Sequence, residues 1–311
     1  MAHMTSATAP GEATKSVMVN GSRLAYVEHG SGQPVVLVHG GINDWRTWRA
    51  QIPALGERFR VVAYSRRYAW PNDPIPDGVD DQMMPHVDDL LGLTRALDLA
   101  PTHLVGNSWG AFICMLAALR EPGLVRTLTL EEPPVLPLFV STPPEPLEII
   151  RMFAKRPRTG AAIVKFMATG FAPSAAAMRK GKLDAGVRIF AEAVLGKERY
   201  AALPDEFKEQ VRANAKTQAA QFLGKGFPPL SEDDVRRIET PTLLVTGEDS
   251  PSFLRRLADY LAELLPDNER VEIHDASHVM HAQNAPALNR ALLEFLEKHA
   301  SHRAYTTRTS E

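Results

Sequence analysis

Short, mostly apolar runs punctuate the chain at residues 34–38, 59–64, 102–105, 125–130 and 242–246, with a last one at 270–273. Runs of this length without polar alternation mark strands buried on both faces. Residues 45–55, 79–99, 111–120, 253–265 and 285–299 instead repeat apolar side chains at helical spacing. Asp80 and Asp81 stand near the start of the second of these, where a helix dipole favours acids. Before the first buried run, residues 16–19 and 24–29 read as a hairpin joined by Asn20-Gly21, a tight-turn signal.

Strands that alternate with helices in this rhythm predict an α/β fold whose parallel sheet is covered on both faces. The alternation stops after residue 135. From 136 to 238 only helical patterns occur, at 146–155, 160–169, 175–195 and 205–223. Pro143-Pro144 and Pro228-Pro229 punctuate its two ends. The expected organisation is a core of residues 5–135 and 239–300 with a helical insertion at 136–238. Residues 1–4 read as an expression-vector remnant, residues 5–15 as small, polar and loose, and 301–311 as a frayed tail.

Composition narrows the function classes. A formal net charge of −2 gives no electrostatic case for nucleic acid or an anionic membrane. No run of eighteen apolar residues suggests a membrane span, and the start lacks the pattern of a secretory signal, so the expected compartment is the cytoplasm. Cys114, the single cysteine, has no partner for a disulfide and lies in an apolar helical stretch, where a small buried core residue is expected.

The chemistry gathers at Gly106-Asn107-Ser108-Trp109-Gly110, between a predicted strand and a predicted helix. Glycines without a Cβ permit a tight turn there, and the serine hydroxyl is then presented at the positive end of the helix. The plainer alternative is a glycine-rich turn whose serine only caps the helix. No Gly-x-Gly-x-x-Gly follows the first strand, no phosphate-loop lysine is near, and the histidines are scattered without metal-ligand spacing. No cofactor and no metal are expected.

Gly-x-Ser-x-Gly after a strand, His39-Gly40-Gly41 after an earlier strand and a late histidine before the last helix together resemble the α/β-hydrolase superfamily. The resemblance spans about residues 17–299. It implies a mostly parallel eight-stranded sheet flanked by helices, with an all-helical cap inserted after the sixth strand. A serine needs a base, and the resemblance assigns that role to His278 in Ala276-Ser277-His278, with His281 as the competitor. His274 and Asp275, at the end of the preceding strand, are expected to serve structure.

The base needs a carboxylate to fix its tautomer. The superfamily's usual acid ends the seventh strand, where this chain reads Gly247-Glu248-Asp249-Ser250, with serine in the aspartate's place. Some branches carry the acid after the sixth strand, here Glu131-Glu132-Pro133-Pro134, and gapless matching puts Glu132 on that position. The order of preference is Glu132, then Asp249, then Glu131, with a non-catalytic role for both glutamates also open. Two adjacent buried carboxylates repel, so one of them is expected to face solvent or a cation.

The resemblance assigns the oxyanion hole to the backbone N–H groups of Gly41 and Trp109. Tryptophan after the nucleophile also resembles dehalogenases and prolyl aminopeptidases. The first need an aspartate where Ser108 stands, which excludes ordinary dehalogenation and epoxide hydrolysis. The second usually show His-Gly-Gly-Pro-Gly, against His39-Gly40-Gly41-Ile42-Asn43 here. After the fourth strand the chain departs from the superfamily's Asp-x-x-Gly-x-Gly-x-Ser turn and reads Ser65-Arg66-Arg67-Tyr68-Ala69-Trp70. His39, Gly40, Arg66, Tyr68 and Trp70 are candidate pocket residues, and the arginines either anchor a substrate carboxylate or pair with surface acids. Met152, Phe153, Phe166, Met167, Phe190 and Phe222 of the insertion line an acyl pocket or pack cap on core.

The resulting expectation is a cofactor-free serine hydrolase acting on a small-molecule ester or lactone. The same residues could cleave a carbon–carbon or amide bond. A ligand-binding or receptor protein on the same scaffold is the rival from another class.

Overall fold

In a computed structural model, residues 13–300 are described; the predictions for residues 1–12 and 301–311 lie outside them. The hairpin forms from β1 (Lys15–Val19) and β2 (Ser22–His29), with Asn20 and Gly21 both at positive φ in the turn. The remaining strands are β3 (Pro34–Val38), β4 (Arg60–Tyr64), β5 (Thr102–Asn107), β6 (Val125–Glu131), β7 (Thr242–Gly247) and β8 (Asn268–Ile273). They form one eight-stranded sheet in the order β1-β2-β4-β3-β5-β6-β7-β8. Only the β1–β2 and β2–β4 pairs are antiparallel.

Strand periodicity explains why β3 and β4 are almost wholly apolar. Val36 and Val38 of β3, Val62 and Tyr64 of β4 and Leu244 of β7 enter one core. Their neighbours Val35, Leu37, Val61, Ala63, Leu243 and Val245 enter the other. Successive side chains point to opposite faces, so a strand covered on both sides is mostly apolar, and the polar residues it buries, such as His103 and Thr127, bond each other. Helices α2 (Met83–Ala96) and α3 (Trp109–Arg120) cover the first face. The second is covered by α1 (Gln51–Gly56) and the C-terminal helix Ala285–Ala300. Two predicted helices change their bounds. Residues 45–55 split into a 3-10 turn at Trp45–Trp48, capped by the Asp44 carboxylate, and the short α1. The helix expected from residue 79 begins at Met83, because Asp81 is drawn into side-chain contacts instead.

The insertion between β6 and β7 is all helical among the described residues. It contains α4 (Pro146–Lys155), α5 (Pro157–Phe166), α6 (Ala172–Arg179), α7 (Leu183–Leu195), α8 (Lys197–Ala202), α9 (Asp205–Ala213), α10 (Ala215–Leu223) and α11 (Glu232–Arg236). The predicted 175–195 helix breaks at Gly181, whose φ is +72°, and the 205–223 helix breaks at Asn214. Through a π-helical turn at Met167–Phe171, α5 and α6 make a continuous run, Pro157–Arg179. By length and composition alone that run could cross a membrane, although it holds no eighteen consecutive apolar residues. In the fold its Phe166 ring stacks at 4.0 Å on Phe253 of α12 (Ser252–Leu264). Phe190 and Phe222 pack edge to face at 4.7 Å within the insertion. These aromatics therefore form packing contacts within the insertion and between it and the core.

Candidate active site

Ser108 sits between β5 and α3 with φ 52° and ψ −120°, a backbone region that an L-residue rarely occupies. Its amide donates to the Glu131 carbonyl at 2.7 Å, and its carbonyl accepts the Phe112 N–H that opens α3. Glycine is required on both sides. A Cβ on Gly110 would lie 2.2 Å from the Val38 carbonyl oxygen, and one on Gly106 would lie 2.6 Å from the Ala111 Cα. The motif is thus a strained strand-to-helix turn.

β6 ends at Glu131, and Glu132 then adopts φ 46°. Glu132 Oε2 accepts a bond from His278 Nδ1 at 2.6 Å, and its Oε1 accepts the Gly247 N–H at 3.0 Å. Glu132 is completely buried and His278 nearly so. With Nδ1 bonded to Glu132, Nε2 is the ring nitrogen left for another partner. The loop carrying His278 is fixed by Ser277, whose N–H and hydroxyl both donate to Gln283 Oε1.

Glu131 has another partner. Its Oε2 accepts from His281 Nδ1 and from Asn107 Nδ2, each at 3.2 Å. His281 is 1% exposed, and its ring lies 5.4 Å from that of Trp48 in the second core. Both glutamates are fully buried, which corrects the expectation that one of them faces solvent or a cation. Each is matched instead to its own imidazole and to N–H donors. Asp249 is placed elsewhere, in an exposed ion pair with Arg199. His274 and Asp275 meet Glu248 at the surface, a structural arrangement.

The loop after β4 divides. Arg66 is 1% exposed. Its guanidinium donates to the carbonyls of His39, Gly40 and Gly41 at 3.3, 3.0 and 3.5 Å and lies 5.6 Å from the Trp109 ring centroid. Burial lowers its pKa, against the attraction of Asp81. Arg67 makes a two-pronged pair with Asp89, with both bonds 2.6 Å. The Tyr68 carbonyl accepts from Thr217 of α10. Trp70 is 41% exposed beneath the Arg46 guanidinium, 3.8 Å from ring centroid to Cζ, so it faces outward at the seam between core and insertion.

His39 is buried. Its Nε2 accepts the Arg66 N–H at 2.9 Å, so its Nδ1 carries the proton and donates to the Gly40 carbonyl at 2.8 Å. Burial, reinforced by Arg66, holds its pKa well below the usual histidine value. The loop is crowded: a Cβ on Gly40 would lie 2.8 Å from Asn107 Oδ1, and one on Gly41 2.9 Å from Gln218 Oε1 of α10.

A polar cluster that the sequence reading missed lies beside Trp109. Asp81 bonds His86 Nε2 at 2.9 Å and Gln221 Nε2 of α10 at 2.7 Å, while the His86 and Trp109 rings are 6.3 Å apart. The i to i+5 spacing of Asp81 and His86 gave no helical signal, and Gln221 is remote in sequence. Among the described residues, no group of three or more His, Cys, Asp or Glu side chains could hold a metal ion.

A family model described as the α/β hydrolase fold matches residues 33–285. The chain is 35% identical over 111 residues to a soluble epoxide hydrolase of Corynebacterium sp. (strain C12), covering 36% of this chain and 38% of that one. It is 35% identical over 129 residues to 2-hydroxy-6-oxo-2,4-heptadienoate hydrolase of Pseudomonas putida, covering 38% of this chain and 44% of that relative. The chain thus spans less than half the length of these two relatives. In fold it is similar to a thermophilic esterase from Thermogutta terrifontis, with TM-score 0.73 and 21% identity over 93% of this chain and 100% of that one. The match of the family model over most of the chain establishes membership: this protein belongs to the α/β hydrolase fold family.

Proposed function

We propose that the chain is a cofactor-free serine hydrolase that cleaves a carboxylic ester or lactone of a small molecule through an acyl-enzyme on Ser108. The observation that carries this reading is the 2.6 Å bond from His278 Nδ1 to the buried Glu132 carboxylate, on a strand end whose Glu131 carbonyl accepts the amide of Ser108 on its strained turn. In the proposed reaction Ser108 Oγ attacks the carbonyl carbon while His278 Nε2 takes the hydroxyl proton. Glu132 holds the imidazole in the required tautomer and stabilises its positive charge. The tetrahedral oxyanion is received by the N–H groups of Trp109 and Gly41. His278 then returns the proton to the leaving oxygen, and a water repeats the sequence to release the acid. Residues 136–238 act as a cap over this site.

A second reading keeps the same residues and cleaves a carbon–carbon bond; the similarity to 2-hydroxy-6-oxo-2,4-heptadienoate hydrolase favours it. Epoxide opening is disfavoured by a serine at position 108, where the resemblance calls for aspartate. Turnover of short p-nitrophenyl esters, a γ-lactone and a vinylogous 1,5-diketone by the wild type, with Ser108→Ala as control, separates these readings. Serine-dependent ester or lactone cleavage supports the first. Cleavage of the diketone alone, with esters inert, replaces it by the second.

A further inference from the structure

We infer that Arg66 is the positioning residue of the oxyanion hole, holding the Gly40–Gly41 peptide so that its N–H is presented to the substrate. The inference rests on the serine-hydrolase reading above. The Gly40 carbonyl, the other end of the peptide whose N–H belongs to Gly41, receives two donors, His39 Nδ1 at 2.8 Å and Arg66 Nη2 at 3.0 Å. This peptide is not among the cis bonds of the described residues. In a trans peptide the carbonyl and the N–H point to opposite sides, so pinning the oxygen towards Arg66 directs the Gly41 N–H away from it.

The clamp closes on itself. Arg66 donates its backbone N–H to His39 Nε2, which fixes the tautomer that lets His39 donate to Gly40. The same guanidinium also reaches the carbonyls of His39 and Gly41, so three consecutive oxygens turn to one cation. Hydrogen bonds accepted by a carbonyl polarise its amide, which makes the N–H at the far end a stronger donor. Arg66 is buried and, among the described residues, bonded to no carboxylate: Asp81, whose attraction only partly offsets the lowering of its pKa by burial, spends its oxygens on His86 and Gln221. A buried cation without a bonded anion is a costly way to fill space. Its charge behind the peptide instead favours negative charge developing in front.

The test compares wild type and Arg66→Met in the full chain. It measures kcat and KM on p-nitrophenyl acetate, and affinities for a trifluoromethyl ketone, which forms a hemiketal oxyanion with serine, and its non-electrophilic methyl ketone. The expected result is a loss of about 100-fold in both kcat and trifluoromethyl ketone affinity, with KM and methyl ketone affinity within about threefold of wild type. Unchanged kcat overturns the inference, as does an equal loss for both ketones, which would make Arg66 a ground-state contact. If thermal unfolding shows Arg66→Met unfolded, Arg66→Lys carries the test, with about tenfold lower kcat at unchanged KM expected. Wild-type kcat in that variant, or an effect on KM alone, overturns the inference. A wild type that forms no hemiketal overturns the serine-hydrolase reading and the clamp with it; a wild type that does, with a null Arg66 effect, overturns only the clamp.

Discussion

Glu131 and Glu132 are adjacent, both fully buried, and deliver their carboxylates to different histidines, His281 and His278. The turn at Glu132, with φ 46°, ends the alternation of β6 and separates the two side chains. One strand end thereby supplies a candidate catalytic acid and a structural one. The division predicts opposite phenotypes.

Glu132→Gln is expected to keep its fold, because the amide can still accept the Gly247 N–H, and to lose about 1000-fold in kcat, because an amide cannot stabilise the imidazolium. Asp249→Asn should stay within about twofold of wild type, since that acid pairs with Arg199 at the surface. Steady-state kinetics on a p-nitrophenyl ester with both variants checks the pair. A dead Asp249→Asn beside an active Glu132→Gln would reverse the assignment.

Glu131→Ala should appear in stability. Asn107 and His281 both lose their buried acceptor. The expected cost is about 3 kcal/mol in urea unfolding, from buried polar groups left without partners. Unchanged stability would show that the Glu131–His281 pair contributes nothing net to the fold.

The elbow glycines predict a steric result. Gly110→Ala places a Cβ 2.2 Å from a backbone oxygen, whereas Gly123→Ala meets nothing within 4 Å. The first should cost about 3 kcal/mol or abolish folding, and the second should stay within about 0.5 kcal/mol. Thermal unfolding of both measures the contrast, and equal midpoints would contradict the packing at the elbow.

Buried neutral histidines set an acid-side pH dependence. His103 bonds Thr127 and Gln33, and burial pushes its pKa down to about 3 from 6.5. Burial also lowers His39 and His86. Between the folded and unfolded pKa values the unfolded chain binds a proton that the folded chain does not. Stability is therefore fully present above the unfolded value and falls as pH drops through it, by about 1.4 kcal/mol per pH unit for each such histidine. Urea unfolding from about pH 7.5 to about pH 5.5 should show this decline, less steep in His103→Gln by up to one proton. A flat profile would contradict it.

The parts of the fold legible in the sequence are those fixed by local pattern. Strands buried on both faces are mostly apolar, so β3, β4 and β7 stand out in the sequence, and the glycines around Ser108 marked the elbow through backbone sterics. Glu132 was reached only through the resemblance to branches that carry their acid after the sixth strand, because nothing local to Glu131-Glu132 separates the two carboxylates. What escaped depends on partners remote in sequence. Asp81 looked like a helix-start acid, yet it bonds His86 and Gln221. Arg66 read as a loop cation until three carbonyls of the β3 loop enclosed it. Gly181 and Asn214 interrupt helices whose apolar spacing continues across the break, so periodicity alone joined α6 to α7 and α9 to α10.

As proposed above, Ser108 is a nucleophile activated by the His278–Glu132 pair. The most direct measurement of this activation is the rate of covalent labelling by an alkyl fluorophosphonate, with peptide mass spectrometry to locate the adduct. The expected outcome is one adduct, on Ser108, absent in Ser108→Ala and formed at least about 100-fold more slowly in Glu132→Gln. A folded wild type that takes up no label at Ser108, or a Glu132→Gln variant that labels at the wild-type rate, would contradict the account.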